Sequence, residues 1–203
     1  MSRIISVHSF RGGTGKSNTA ASVAALLAAE GQRVGVVDTD IQSPGIHTLF
    51  GLHQEAMRYS LNQYLWGTCD ITQTAHDMTA SLDAGLRGRV YLVPSSMKAN
   101  DIARVMRDGY DVGLLNEGFR QLVKELSLDV LMLDTHPGLN EETLLSIAMS
   151  STLAIVLRST RTRTPEAIST SISSGPTTFD TVPSRPPPVT ILSPRLSASI
   201  ITR

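Results

Sequence analysis

Residues 7–17, Val-His-Ser-Phe-Arg-Gly-Gly-Thr-Gly-Lys-Ser, hold the side-chain types best suited to gripping an oxyanion. Gly12, Gly13 and Gly15 lack the Cβ atoms that would keep the backbone away from a ligand. The N–H groups of such a turn point inward and form an anion cradle, and a helix that follows aims its positive end at the same spot. Lys16 adds a full charge, and Ser17 adds a hydroxyl suited to Mg²⁺. This set favours the phosphates of a nucleoside triphosphate. A glycine turn that only joined strand to helix would need neither the lysine nor the serine. The phosphate-loop spacing G-x-x-x-x-G-K-[ST] is met from Gly15 onward, with Phe10 where its first glycine would stand.

Acids occur where such a loop needs them. Asp38 and Asp40 follow an apolar run at residues 33–37, and Asp134 follows another at residues 130–133. Carboxylates at the C-terminal tips of parallel strands face the ligand crevice of an open sheet. Two acids beside phosphates repel them unless a cation lies between, so Asp38 and Asp40 argue for Mg²⁺. The alternative for this pair is an Asp-rich turn capping the segment Ile46–Phe50. Asp134 occupies the place from which nucleotide hydrolases hold Mg²⁺ through its water shell. Gly138 lets the chain bend close to a γ-phosphate.

Strands and helices alternate around these residues. A β-branched run at residues 4–7 leads into the loop. An alanine- and leucine-rich helix over residues 18–30 is stopped by Gly31. Strands are expected at residues 33–37, 89–93, 130–133 and 152–157, and helices at residues 99–107, 112–126 and 140–149. Residues 51–88 are less regular. Ser60 caps a short helix from Leu61, Asp70 opens another through Thr74, and residues 83–88 form a surface turn. Tyr64 and Trp66 either cover the sheet or belong to an interaction surface. His47, His53 and His76 lack metal-ligand spacing and receive no role. The alternation specifies an open, doubly wound, mostly parallel α/β sheet.

Residues 11–17, Arg-Gly-Gly-Thr-Gly-Lys-Ser, resemble the deviant phosphate loop (deviant Walker A) of the MinD/ParA ATPases, written K-G-G-x-G-K-[ST]. Arg11 stands for the signature lysine of that family, whose ParA-like members also lack a glycine at the Phe10 place. Asp134-Thr135-x-Pro137-Gly138 resembles the family's second switch. The resemblance covers residues 3 to about 158. It implies a sheet of the P-loop NTPase type. It implies ATP held by Gly12, Gly13, Thr14, Gly15, Lys16, Ser17 and Asn18, with Mg²⁺ near Ser17, Asp38 and Asp134. It further implies a nucleotide-dependent homodimer in which Arg11 reaches the partner's phosphates and Asp40 orients the attacking water. Lys16, Asp40 and Arg11 form the implied catalytic set. His136 lies in the second switch, where the family uses no proton-transfer residue, so it is read as a switch residue.

By the same resemblance, ATP hydrolysis would switch the dimer on and off a regulatory or cargo protein, a DNA surface or a membrane surface. The work would be chromosome or plasmid partition, division-site placement or positioning of other machinery. An ATP-dependent adaptor with little hydrolysis is the other reading. Lys98, Arg104 and Arg107 could touch DNA, but three charges are too few for that, and a solvated face accounts for them better.

The chain has 203 residues, with 18 basic and 18 acidic, so no general attraction to polyanions follows. Its single cysteine, Cys69, excludes an internal disulfide and the several cluster cysteines of the nitrogenase iron protein. It reads as a small buried apolar residue and fits a reducing cytoplasm. The expected location is cytoplasmic, free or peripheral at membrane or nucleoid. No apolar stretch has transmembrane length, and no signal peptide is visible.

Residues 1–158 form the expected nucleotide-binding domain. Residues 159–203 differ: seven of the ten prolines lie there, and only Glu166 and Asp180 are acidic. That Ser/Thr/Pro/Arg-rich tail is expected to lack order, either as a linker or as the product of a reading-frame shift near Arg158. The abruptness of the change favours the frameshift. On either reading the final strand would leave an open apolar edge.

Overall fold

A computed structural model describes residues 2–83, 85–139, 141–157, 190–192 and 197–202. The sheet runs β3-β4-β2-β5-β1-β6-β8-β7. Its strands are β1 (Arg3–His8), β2 (Arg33–Asp38), β3 (His76–Asp77), β4 (Arg89–Val93), β5 (Val130–Asp134), β6 (Thr152–Leu157), β7 (Thr190–Leu192) and β8 (Ser197–Thr202). The central five, β4-β2-β5-β1-β6, are parallel. Antiparallel strands flank them on both sides.

The most apolar runs became the most buried strands. Every residue of β5 is buried, and so is β2 from Val34 onward. Side chains alternate between the two faces. Val34, Val36, Val130 and Met132 pack with Ala20, Ala24 and Ala28 of α1 (Lys16–Ala29). These alanines, four apart and wholly buried, let α1 lie close to the sheet. Val37, Leu131 and Leu133 pack on the other face with α2 (Leu61–Leu65) and α5 (Val112–Glu125). Helices α3 (Thr79–Leu82), α4 (Ala99–Asp108) and α6 (Glu141–Met149) complete the layers.

Tyr64 belongs to the core, and its hydroxyl donates to Leu114 O at 2.9 Å. A Cβ at Gly118 would stand 2.7 Å from the Tyr64 ring, so the close approach of α5 requires glycine there. Trp66 is half-buried beneath the Arg104 guanidinium, 4.3 Å from its ring centre. The helix expected from Asp70 is a 3-10 turn, Ile71–Thr74, and the two-residue β3 beside it carried no readable period.

Two segments of the tail, expected without order, are strands. β8 pairs antiparallel with β6, from Thr152↔Thr202 to Leu157↔Ser197, and β7 pairs with β8. The edge of β6, expected to be open, is therefore covered. Its unpaired N–H and C=O groups select a pairing partner through the backbone, which a periodicity search does not register. The rest of the tail expectation lies outside the described residues. Among the described residues no helix is long and apolar enough to cross a membrane.

Candidate functional site

Strand register builds the site. Val7 of β1 and Asp38 of β2 both pair with Asp134 of β5, so three strand tips end at one level. The loop from Ser9 to Gly15 passes over them into α1. Gly13 (φ 73°) and Gly15 (φ 92°) take left-handed backbone that side-chain-bearing residues rarely adopt. Gly15 is the N-cap of α1, which places the positive helix end at the loop. Ser9 Oγ donates to Arg11 O at 3.0 Å, and Gly138 N–H donates to Ser9 O at 3.0 Å. The phosphate loop and the segment after β5 are thus joined.

Lys16 is buried, and its Nζ lies 2.5 Å from Asp134 Oδ1, with side-chain exposures of 8% and 2%. Burial pushes the Asp134 carboxyl above its ordinary range, while Lys16 and a hydrogen bond from Ser17 oppose that rise. Asp38 is wholly buried, and its carboxyl is held well above the usual range by burial, then by Asp134 and Asp40. Asp40 N–H donates to Asp38 Oδ1 at 3.1 Å, and Gly45 N–H donates to Oδ2 at 3.2 Å. Thr39 Oγ1 donates to Asp134 O at 3.0 Å, which fastens β2 to β5 just beyond the sheet. The same two carboxylates also serve the turn that leads into Ile46–Phe50: Gly45, whose N–H Asp38 accepts, is the N-cap of that segment, and Ser43 N–H donates to Asp40 Oδ1 at 3.2 Å.

The remaining expected residues face outward or line the loop. Arg11, Gly12, Gly13 and Asn18 are exposed, and Thr14 and Ser17 are half-buried. A Cβ at Gly12 or Gly13 would meet nothing within 4 Å, so open space lies before the cradle. Thr14 Oγ1 is buried with no partner among the described residues.

These features fit nucleotide with Mg²⁺. Asp38 and Asp134 are register partners buried beside Lys16, and a divalent cation there would favour the charged carboxylates that burial disfavours. Among the described residues no three acids, histidines or cysteines stand close enough to enclose a metal alone. Mg²⁺ suits such a place, because it binds through one or two carboxylates together with phosphate oxygens and water.

Sequence reasoning gave His8 no role and read His136 only as a switch residue, without its partner. His8 is buried with Nδ1 3.0 Å from Thr135 Oγ1, and its pKa is lowered by burial and by Lys16. His136 Nδ1 lies 2.6 Å from Asp40 Oδ1. No local spacing announces either contact, since partners lie 127 and 96 residues apart. The cations considered for DNA are partly neutralised in place: Arg107 pairs with Asp108 at 2.8 Å, and Arg104 reaches the same acid at 3.9 Å.

A ParA family model, described as NUBPL iron-transfer P-loop NTPase, matches residues 1–174. An iron-sulfur cluster carrier protein of Salmonella typhimurium is 36% identical over 138 residues, covering 66% of this chain and 32% of that protein. The septum site-determining protein MinD of Pyrococcus horikoshii, solved with Mg-ADP, superposes with a TM-score of 0.60 at 22% identity. That match covers 74% of this chain and 56% of MinD. A plasmid partition protein of Borrelia burgdorferi gives 0.61 at 22% identity, covering 79% and 68%. The chain thus spans about a third of the carrier's length and just over half of MinD's. The two structures share its fold. With the family match running through residue 174, the chain belongs to the ParA family of P-loop NTPases.

Proposed function

We propose that this chain binds ATP with Mg²⁺ and hydrolyses it to ADP and phosphate within a nucleotide-dependent homodimer, as a cytoplasmic switch. The observation that carries this reading is the meeting of Lys16, Asp38, Asp40 and Asp134 at the level tips of β1, β2 and β5. The glycine loop and the N-terminus of α1 cradle the phosphates through backbone N–H groups. Lys16 exchanges Asp134 for phosphate oxygens. Ser17, Asp38 and Asp134 would hold Mg²⁺, which supplies charge neutralisation between the phosphates. Asp40 accepts a hydrogen bond from the attacking water and orients it in line. Arg11, exposed at the rim, reaches the partner's phosphates. Catalysis is then positioning and charge stabilisation.

The cycle would load and release a cargo or regulatory partner. The structural neighbours point to positioning or partition, and the relatives named as carriers point to iron–sulfur clusters. Cys69 suits cluster ligation poorly: it is half-buried, and burial and Asp70 raise its thiol pKa. The proposal rests on the nucleotide switch and assigns Cys69 no cluster.

Phosphate release from Mg-ATP, with and without DNA or anionic vesicles, tests the reading. Turnover abolished by chelating Mg²⁺ supports it. Tight ATP binding without turnover would favour the adaptor, a reading the closed Lys16–Asp134 pair also suits.

A further inference from the structure

Asp38 and Asp134 are register partners, so the chains leave β2 and β5 side by side. Two residues beyond each tip stand Asp40 and His136, with His136 Nδ1 2.6 Å from Asp40 Oδ1. Their side chains keep 10% and 24% of their exposure, enough for the ring to remain at the mouth of the site. Ser43 N–H donates to the same oxygen at 3.2 Å. Among the described residues, both side-chain hydrogen bonds to Asp40 therefore fall on Oδ1.

The histidine is itself held. Thr143 Oγ1 donates to His136 O at 3.2 Å. On either side, Thr135 Oγ1 donates to Val7 O at 3.1 Å, and Gly138 N–H to Ser9 O at 3.0 Å. The ring is thus carried by backbone fastened to β1, the phosphate loop and α6.

A carboxylate on a short side chain turns easily about its last torsion, a broad two-fold well. A hydrogen bond to one oxygen removes that freedom and decides where the other points. We propose that His136 is a positioning residue for Asp40. Its Nδ1–H holds Oδ1 and leaves Oδ2 to orient the water. The inference rests on the reading of Asp40 as the water-orienting group. A carboxylate only accepts, so in this contact the ring must carry a proton on Nδ1. The same bond ties the segment after β2 to the segment after β5.

The test is Mg-ATP turnover by the full chain. His136→Ala should lower kcat about 10- to 100-fold, the scale of a misplaced catalytic group. The KM for ATP should stay within about 3-fold, because binding is untouched. His136→Asn, whose amide nitrogen stands near the place of Nδ1, should restore most of the rate. Asp40→Asn should itself be slow, and adding His136→Ala to it should cost nothing further. Unchanged kcat in His136→Ala, no rescue by His136→Asn, or independent losses in the double variant would each overturn the positioning role alone. Wild-type turnover in Asp40→Asn would instead remove the reading of Asp40, and the inference with it. Histidine ¹⁵N spectra give a readout independent of turnover. His136 should show the Nδ1–H tautomer and lose it in Asp40→Ala. A bare Nδ1 in the wild-type protein would overturn the proposal.

Discussion

Replacing Lys16 with Met should destabilise the protein in a way that depends on pH. The Nζ–Oδ1 separation of 2.5 Å corresponds to about 7 kcal/mol of attraction at an effective dielectric of about 20. Desolvation of both ions offsets most of that, but removing one partner strands the other. The stranded Asp134 would lie beside buried Asp38 and Asp40, and such a loss costs about 3–5 kcal/mol. The carboxyl can escape by taking up a proton. Burial already raises its pKa in the folded protein, and the variant also lacks the lowering influence of Lys16. A carboxyl whose folded pKa exceeds its unfolded value adds stability below the unfolded pKa and loses it as pH rises through the folded one. The deficit of Lys16→Met should therefore be largest near pH ~8 and shrink towards pH ~5, and the melting temperature at the high end should fall by about 6–20 °C. Urea unfolding without nucleotide, at several pH values, measures this. Lys16→Met combined with Asp134→Leu should recover most of the loss, since an apolar pair leaves no stranded charge. An equal deficit at all pH values, or no recovery in the double variant, would refute the reasoning.

Three further outcomes follow from the same geometry. Arg11→Ala should abolish dimer-dependent hydrolysis but spare ATP binding, because Arg11 is exposed at the loop; unchanged turnover would refute its cross-subunit role. Gly118→Ala should cost about 1–3 kcal/mol in urea unfolding, as its Cβ would press 2.7 Å from the Tyr64 ring. Asp38→Asn should gain on the wild-type apo protein as pH rises above 3.8, because the raised Asp38 pKa makes the charged form a burden there. Mg-ATP should reverse that ranking, as cation binding favours the charged carboxylate, and thermal shift with and without Mg-ATP would show it.

The phosphate loop was legible because its chemistry is local. Glycines, lysine and serine act within one turn, and their spacing is itself the site. The central strands were legible because burial on both faces leaves an unbroken apolar run, as in β5. The partners of Tyr64 and the strands of the tail were not. Tyr64 is core because Gly118 lets α5 approach it, a fact of packing between segments far apart in sequence. β8 is placed by the free hydrogen-bonding groups of β6, which accept any strand that reaches them.

Residue order alone determined which groups could grip phosphate and which acids would end the strands. It did so because both signals lie within a few positions of one another. Tertiary structure decided what those groups face. Register set Val7, Asp38 and Asp134 level, turned Lys16 onto Asp134, and brought His136 against Asp40. Those contacts cross about a hundred residues of chain and depend on how strands pair, which no spacing within a single segment encodes.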